Sequence, residues 1–158
     1  MFPSMRRSRQ ALSREACLAV LQRATSGVLS LQTADGYPYG VPLSFVYDGE
    51  KLYFHCAKTG YKLDALRYHD KVSFCVIDQD QVVPEAYTTY FRSVILFGRA
   101  RILTQPEEAR QALEKLAEKY SPQFPQGRQE EIDRLFSHVC MVELTIDHMT
   151  GKQAKELL

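Results

Sequence analysis

The stretch VLSLQTADGYPYGVPLSFVYDGEKLYFHC, residues 28–56, decides the fold. Its β-forming residues fall into three runs, Val28–Gln32, Tyr39–Tyr47 and Lys51–Cys56, and the gaps between them hold Asp35-Gly36 and Asp48-Gly49. Asp-Gly is a hairpin signature because glycine accepts the positive φ that a tight turn between twisted strands demands. Three antiparallel strands joined by short turns are expected.

Upstream, Ser13 is placed to cap a helix in which Ala16, Cys17, Val20, Leu21 and Ala24 recur at helical spacing, with Gly27 ending it. Downstream, Gly60–His69 breaks the strand pattern, and Leu63, Ala65 and Leu66 suit a short helix lying on the sheet. Lys71–Ile77 alternates again, Val72, Phe74 and Val76 facing one way and Ser73 and Cys75 the other. The polar segment Asp78–Ala86, with Pro84, reads as a loop, and Tyr87–Leu103 as a long strand bent at Gly98. Thr104 and Glu107 match a capping box. The helix they open carries Ala109, Ala112, Leu113, Leu116, Ala117 and Tyr120 and stops at Pro122, Pro125 and Gly127. A second helix over Gln129–Ser137 would bury Ile132, Leu135 and Phe136; Val139–Ile146 reads as a closing strand and Gly151 onward as a polar tail. The sum is a mainly β protein, a β-barrel with flanking helices, because closure removes the exposed edges of an antiparallel sheet. With 158 residues, one domain spanning 1–158 is expected.

Composition is globular, 45% apolar and 25% charged, and a net charge of +1 gives no overall case for nucleic acid or an acidic membrane. The exception is local: Arg6, Arg7, Arg9 and Arg14 crowd the start, which reads as a solvated arm, short basic runs usually being that, with an anion site as the lesser alternative. No apolar run approaches the ~18 residues of a membrane span, and Arg14 and Glu15 interrupt the one candidate for a signal segment. A cytoplasmic location is the expectation. Cys17, Cys56, Cys75 and Cys140 are scattered, which suits reduced, buried thiols better than zinc or disulfides.

No nucleophile elbow, P-loop, dinucleotide fingerprint or zinc-protease spacing occurs, and the acidic pairs Glu107-Glu108 and Glu130-Glu131 are ordinary helix starts. The remaining candidate is Tyr53-Phe54-His55-Cys56-Ala57-Lys58-Thr59-Gly60-Tyr61-Lys62. A strand ends there in a histidine, a small-residue loop follows, and a helix opens with lysine in its first turn. Free N–H groups at a helix start beside an ammonium can cradle phosphate, and Thr59 can add a hydroxyl. On spacing alone such a join is more often a simple capped turn, and a lone histidine at a strand end is more often structural than chemical.

The ordered motifs add to this. Met5-Arg6-Arg7, Tyr37–Phe45, Leu52–Leu66 and Ser93–Ala100 together resemble the nitroimidazole-resistance (Nim) family of the FMN-binding split-barrel superfamily, which also contains pyridoxamine 5′-phosphate oxidase. The resemblance implies an antiparallel, Greek-key-type split barrel forming a homodimer with FMN at the interface. Carried over by residue, backbone at Val41, Pro42 and Leu43 would face the isoalloxazine, with His55, Cys56 and Ala57 beside the flavin. Thr59, Gly60 and Lys62 would hold the phosphate, and Ser93 would approach from the long strand. His55 matches the family's active-site histidine, whereas Tyr61 stands where related barrels carry a basic residue. The implied activity is reduction of a small electrophile such as a nitroaromatic, with electrons from a nicotinamide donor. A non-catalytic flavin-binding or flavin-sensing protein is the alternative, and deazaflavin or haem would be the alternative cofactors. Oxidation of pyridoxamine phosphate itself is not expected, because the closing Gly151–Leu158 lacks arginine.

Overall fold

Residues 28–56 form four strands, not three, in a computed structural model that describes residues 1–158. They are β1 (Ser26–Gln32), β2 (Pro38–Ser44), β3 (Val46–Tyr47) and β4 (Lys51–Ala57). Both Asp-Gly turns are present, with Gly36 at φ 89° and Gly49 at φ 103°. The run expected as one strand over Tyr39–Tyr47 breaks at Phe45, for an identifiable reason. The Phe45 N–H donates to Tyr120 Oη at 3.0 Å, and its carbonyl accepts from Lys119 Nζ at 3.0 Å. Side chains of a distant helix thus satisfy the backbone groups that a continuous strand would have paired.

That break closes the barrel. After helix α1 (Arg14–Arg23) and helix α2 (Tyr61–Tyr68) come the long strands β5 (Lys71–Val83) and β6 (Thr88–Ile102). Helices α3 (Pro106–Tyr120) and α4 (Pro125–Leu135) follow, then β7 (Val139–Gln153). The antiparallel sheet has the order β2-β1-β5-β6-β7-β4-β3. Its two edge strands are therefore successive pieces of one segment, pairing at Ser44 with Ser26 on one side and at Val46 with Tyr53 on the other. The non-sequential neighbours β1·β5 and β4·β7 give the Greek-key-type order.

Inside lie Leu29, Phe45, Phe54, Phe74, Leu96 and Leu144, each 1% exposed or less, and α1 and α2 add Val20, Leu21, Leu63 and Leu66 to the same core. Full burial of one such side chain contributes about 1.5–3 kcal/mol. A second, smaller core packs α3 and α4 against the other face of β4 and β7, joining Leu113, Leu116 and Ile132 to Tyr53 and Met141.

Several local expectations are corrected. Helix α1 keeps its Ser13 cap, the Oγ accepting from Ala16 N–H at 3.1 Å, but it ends at Arg23. Gly27 sits in β1 instead, where a Cβ would lie 2.4 Å from the Phe74 ring. The expected loop Asp78–Ala86 is mostly strand: β5 bulges at Asp78, whose carboxylate accepts from Arg23 and Arg92, and then pairs with β6 as far as Val83. Thr104 and Glu107 form no capping box, because Pro106 starts α3 and Gln105 occupies the cap position without a side-chain bond. Pro125 and Gly127 open α4 rather than end α3. Gly151 is a buried strand residue that faces Cys17 and Leu12, not part of a polar tail. At Gly98 the expected bend is real: the register shifts between Phe97 and Gly98, and a Cβ there would meet the Thr145 carbonyl at 2.0 Å.

Candidate functional site

The last residues of β4 divide two clefts. Side chains alternate across a strand, so Leu52, Phe54 and Cys56 point one way and Tyr53 and His55 the other, while Ala57 at the strand's end borders the same cleft as Cys56. Cys56 borders a cleft of about 210 Å³ together with Tyr39, Val41, Thr59, Gly60 and Lys62. His55 instead lines a cavity of about 500 Å³ on the opposite side, walled by α3, α4 and Ser44. The two candidates for the flavin side therefore stand back to back.

The first cleft is built at the β4–α2 corner. Gly60 holds φ 141°, a conformation that side chains rarely adopt, and nothing lies within 4 Å of where its Cβ would be. It precedes α2 without a side-chain cap, and the first bond back to it comes from Asp64 N–H at 3.1 Å. The N–H groups of Tyr61, Lys62 and Leu63 consequently point out of the helix start with no helical partner. Lys62 and Thr59 line the same cleft, so an ammonium, a hydroxyl and these N–H groups are of the kinds that could hold an anion. Tyr61 does not replace the missing basic residue. Its hydroxyl donates to Asp35 at 3.0 Å and its ring meets Tyr39 edge-on at 5.0 Å, which ties the β1–β2 turn over the corner. Thr33 and Tyr61, both bonded to Asp35, hold that carboxyl below its usual range.

Of the second-strand residues, Val41 lines this cleft, Leu43 packs on the core and Pro42 faces outward. All three lie on a strand that pairs on one side only, which leaves its other edge available to a ligand. Ser93 borders neither cleft. It is half-buried on β6, in register with Ile77 and Lys152.

The larger cavity was not foreseen from the sequence. Leu113, Leu116, Phe124, Ile132, Leu135 and Val139 make it apolar, while His55, Tyr120, Arg128 and Glu131 supply its polar groups. Leu135, expected to be buried, is only half-buried because it borders this space. His55 keeps solvent contact, yet partial desolvation of its ring, and secondarily the Lys62 charge across the strand, push its pKa down, favouring neutral imidazole. Burial also drives the Cys56 thiol up to about 11, reinforced by Cys140 directly across the ladder. Cys56 is thus no thiolate nucleophile at neutral pH. The pairing of Cys56 with Cys140 joins residues that looked unrelated in sequence.

These features fit a group with a phosphate at one end: an open glycine, helical N–H groups without helical partners, a lysine and a hydroxyl residue line one cleft. A volume of about 210 Å³ lies below the roughly 300–1,000 Å³ of sites that enclose a small molecule, so most of such a group would extend beyond this cleft.

Comparison with known proteins agrees with the architecture. A curated relative, an uncharacterised protein of Rhizobium meliloti (strain 1021), is 27% identical over 92% of this chain and 95% of its own. A conserved hypothetical protein of Mycobacterium tuberculosis superposes with a TM-score of 0.82 at 19% identity, over 98% of this chain and 92% of its own. A candidate 5-nitroimidazole antibiotic resistance protein of Bacteroides thetaiotaomicron gives 0.75 at 22%, over 90% and 86%. The FAD and heme binding protein of Mycobacterium smegmatis gives 0.77 at 22%, over 92% and 74%. At these identities the superpositions establish a shared fold. The sequence profile for pyridoxamine 5′-phosphate oxidase matches residues 13–153, nearly the whole barrel and both clefts, and the chain therefore belongs to that family.

Proposed function

We propose that the protein is an FMN-dependent reductase of small electrophiles, nitroaromatics among them, working as a homodimer with a nicotinamide nucleotide as electron donor. The observation that carries this reading is the β4–α2 corner, where Gly60, the uncapped α2 start, Thr59 and Lys62 line one cleft in a chain of the pyridoxamine 5′-phosphate oxidase family. A structural neighbour that binds FAD and heme supports a flavin in this fold.

In this reading Lys62, Thr59 and the N–H groups of α2 bind the phosphate, and the free edge of β2 at Val41–Leu43 meets the ring. When bound, the flavin would supply the electron transfer that no side chain can perform. Neutral His55, in the lining of the apolar cavity, would orient an acceptor and hold a proton for it at Nε2 or Nδ1. The apolar walls would favour a flat, weakly polar acceptor.

The test is spectral and kinetic. Purified protein should absorb near ~450 nm and release FMN on denaturation, and Lys62→Gln should lower FMN affinity by about tenfold or more, the scale of one charge-assisted phosphate bond. NADH or NADPH should then bleach the band, and a nitroimidazole should restore it. Protein that binds no flavin sinks the proposal. A flavin that no nicotinamide reduces would mark a binding protein, and a Soret band would mark a haem protein.

A further inference from the structure

The arginines divide into two groups. From Arg23 onward each guanidinium has a partner: Arg23, Arg67, Arg92, Arg99, Arg101, Arg110 and Arg134 meet carboxylates, and Arg128 donates to the Ser121 carbonyl. Arg6, Arg7, Arg9 and Arg14, all in or next to the arm ahead of α1, have neither a carboxylate within 4.0 Å nor an accepting carbonyl. The arm that carries them is docked. A helical turn over Ser8–Gln10 is closed by Ala11 N–H on the Ser8 carbonyl at 3.1 Å. Ala11 then pairs with Lys152, and Leu12 N–H donates to the Gly151 carbonyl at 2.9 Å. At its other end Phe2 stacks on His148 at 4.6 Å and on Phe97 at 5.7 Å.

Arg6, Arg7, Ser8, Arg9, Gln10 and Lys155 enclose an open cleft of about 410 Å³ with no apolar residue in its lining. Gln10 Oε1 is shielded from solvent without a hydrogen-bond partner. Lys155 at its edge has the Glu156 carboxylate at 3.9 Å. Like charges held together on a fixed backbone repel unless an anion neutralises them.

We infer that this cleft binds the diphosphate group of a nucleotide. Guanidinium forks match pairs of phosphate oxygens, and three arginines with a lysine exceed the charge of a single phosphate, about −1.5 to −2. The patch is too short, and too free of aromatic interleaving, to follow a nucleic-acid strand. The arm's Phe2 is engaged on Phe97 and His148, so it is not a free membrane wedge. The inference is independent of the flavin reading, because none of these residues borders the α2 corner.

Calorimetric titration of the full chain with ADP at low salt tests it. ADP should bind, inorganic pyrophosphate should compete, and adenosine should not. The combined variant Arg6→Gln/Arg7→Gln/Arg9→Gln should lose at least about tenfold in affinity, while Lys62→Gln should leave it unchanged. If the triple variant melts early, Lys155→Gln decides, with a loss of about threefold or more expected. Absence of ADP binding overturns the inference, as does unchanged affinity in a folded triple variant. So does a loss in Lys62→Gln, which would assign the nucleotide to the α2 corner. Binding of an oligonucleotide or of phosphatidylserine vesicles that ADP does not displace would also overturn it.

Discussion

At the scale of single residues, the back-to-back placement of His55 and Cys56 gives each a separate consequence. The His55 pKa is lowered first by burial and then by Lys62, so the folded state disfavours imidazolium. The sign follows: this histidine's stabilising contribution is present above its ordinary pKa, ~6.5, and is lost as pH falls through its lower folded value. A proton NMR titration should place its ring below the ordinary histidine range. Lys62→Gln should move it part of the way back up, since burial remains the larger cause. A ring that titrates above the ordinary range, or ignores Lys62, would contradict the electrostatic link between the clefts. For Cys56, held near 11 and half-buried, iodoacetamide at pH 7.5 should alkylate far more slowly than an exposed thiol, with peptide mapping as the readout. The sequence made both residues visible as candidates and also contained their separation, because a period of two forbids neighbours from sharing a face. What it did not contain was Cys140, brought opposite Cys56 by a pairing between β4 and β7 some eighty positions apart.

At the scale of elements, the end of α3 is what interrupts the β2–β3 segment. Tyr120 accepts from the Phe45 N–H, and its hydroxyl reaches the carbonyls of Phe45 and Thr25. Lys119 donates to the carbonyls of Ala24 and Phe45 and lies over the Phe45 ring at 4.3 Å. One helix terminus thus joins the α1–β1 link to the point of barrel closure. Tyr120→Phe removes one hydroxyl while leaving the ring, and should destabilise by about 1–3 kcal/mol, the cost of leaving buried backbone groups unpaired. Urea unfolding should show the loss as a lower midpoint, whereas exposed Tyr68→Phe should show none. The turns, the Ser13 cap, the α2 helix and the Gly98 bend were legible because each depends on chemistry within a few residues. The Phe45 break was not, since its cause sits seventy-five positions away in Tyr120. The β5–β6 ladder was hidden for a related reason: Asp78-Gln79-Asp80-Gln81 is polar like a loop, yet Arg23 and Arg92 neutralise its bulged aspartate and β6 supplies the pairing.

For the whole molecule, the outer face of β1, β5 and β6 raises the question of what covers it. Val28, Cys75, Ile95 and Thr150 form one row across four strands, with Ile77 and Ser93 in the next. Val28 is 38% exposed, Ile95 43% and Ile77 64%, so these side chains meet solvent together in one chain. Scattered surface leucines and valines are ordinary, but an apolar row along neighbouring strands is the mark of an interface. Under the proposed flavin reading the α2 corner makes a matching demand, because its cleft of about 210 Å³ is too small to enclose a flavin and the ring would need another surface. A second copy seated on this face would meet both requirements and would bring Ser93, which borders neither cleft in one chain, toward a partner's site. Sedimentation should then find two 18.1 kDa chains in one particle. Ile95→Glu places a charge at the centre of the row, where desolvating it costs several kcal/mol, and should yield folded monomer. If the cofactor spans the interface, that monomer should also lose flavin although Thr59, Gly60 and Lys62 are intact. A wild-type monomer that retains flavin, or an Ile95→Glu dimer with unchanged affinity, would place the ring within a single chain and leave the apolar row without this role.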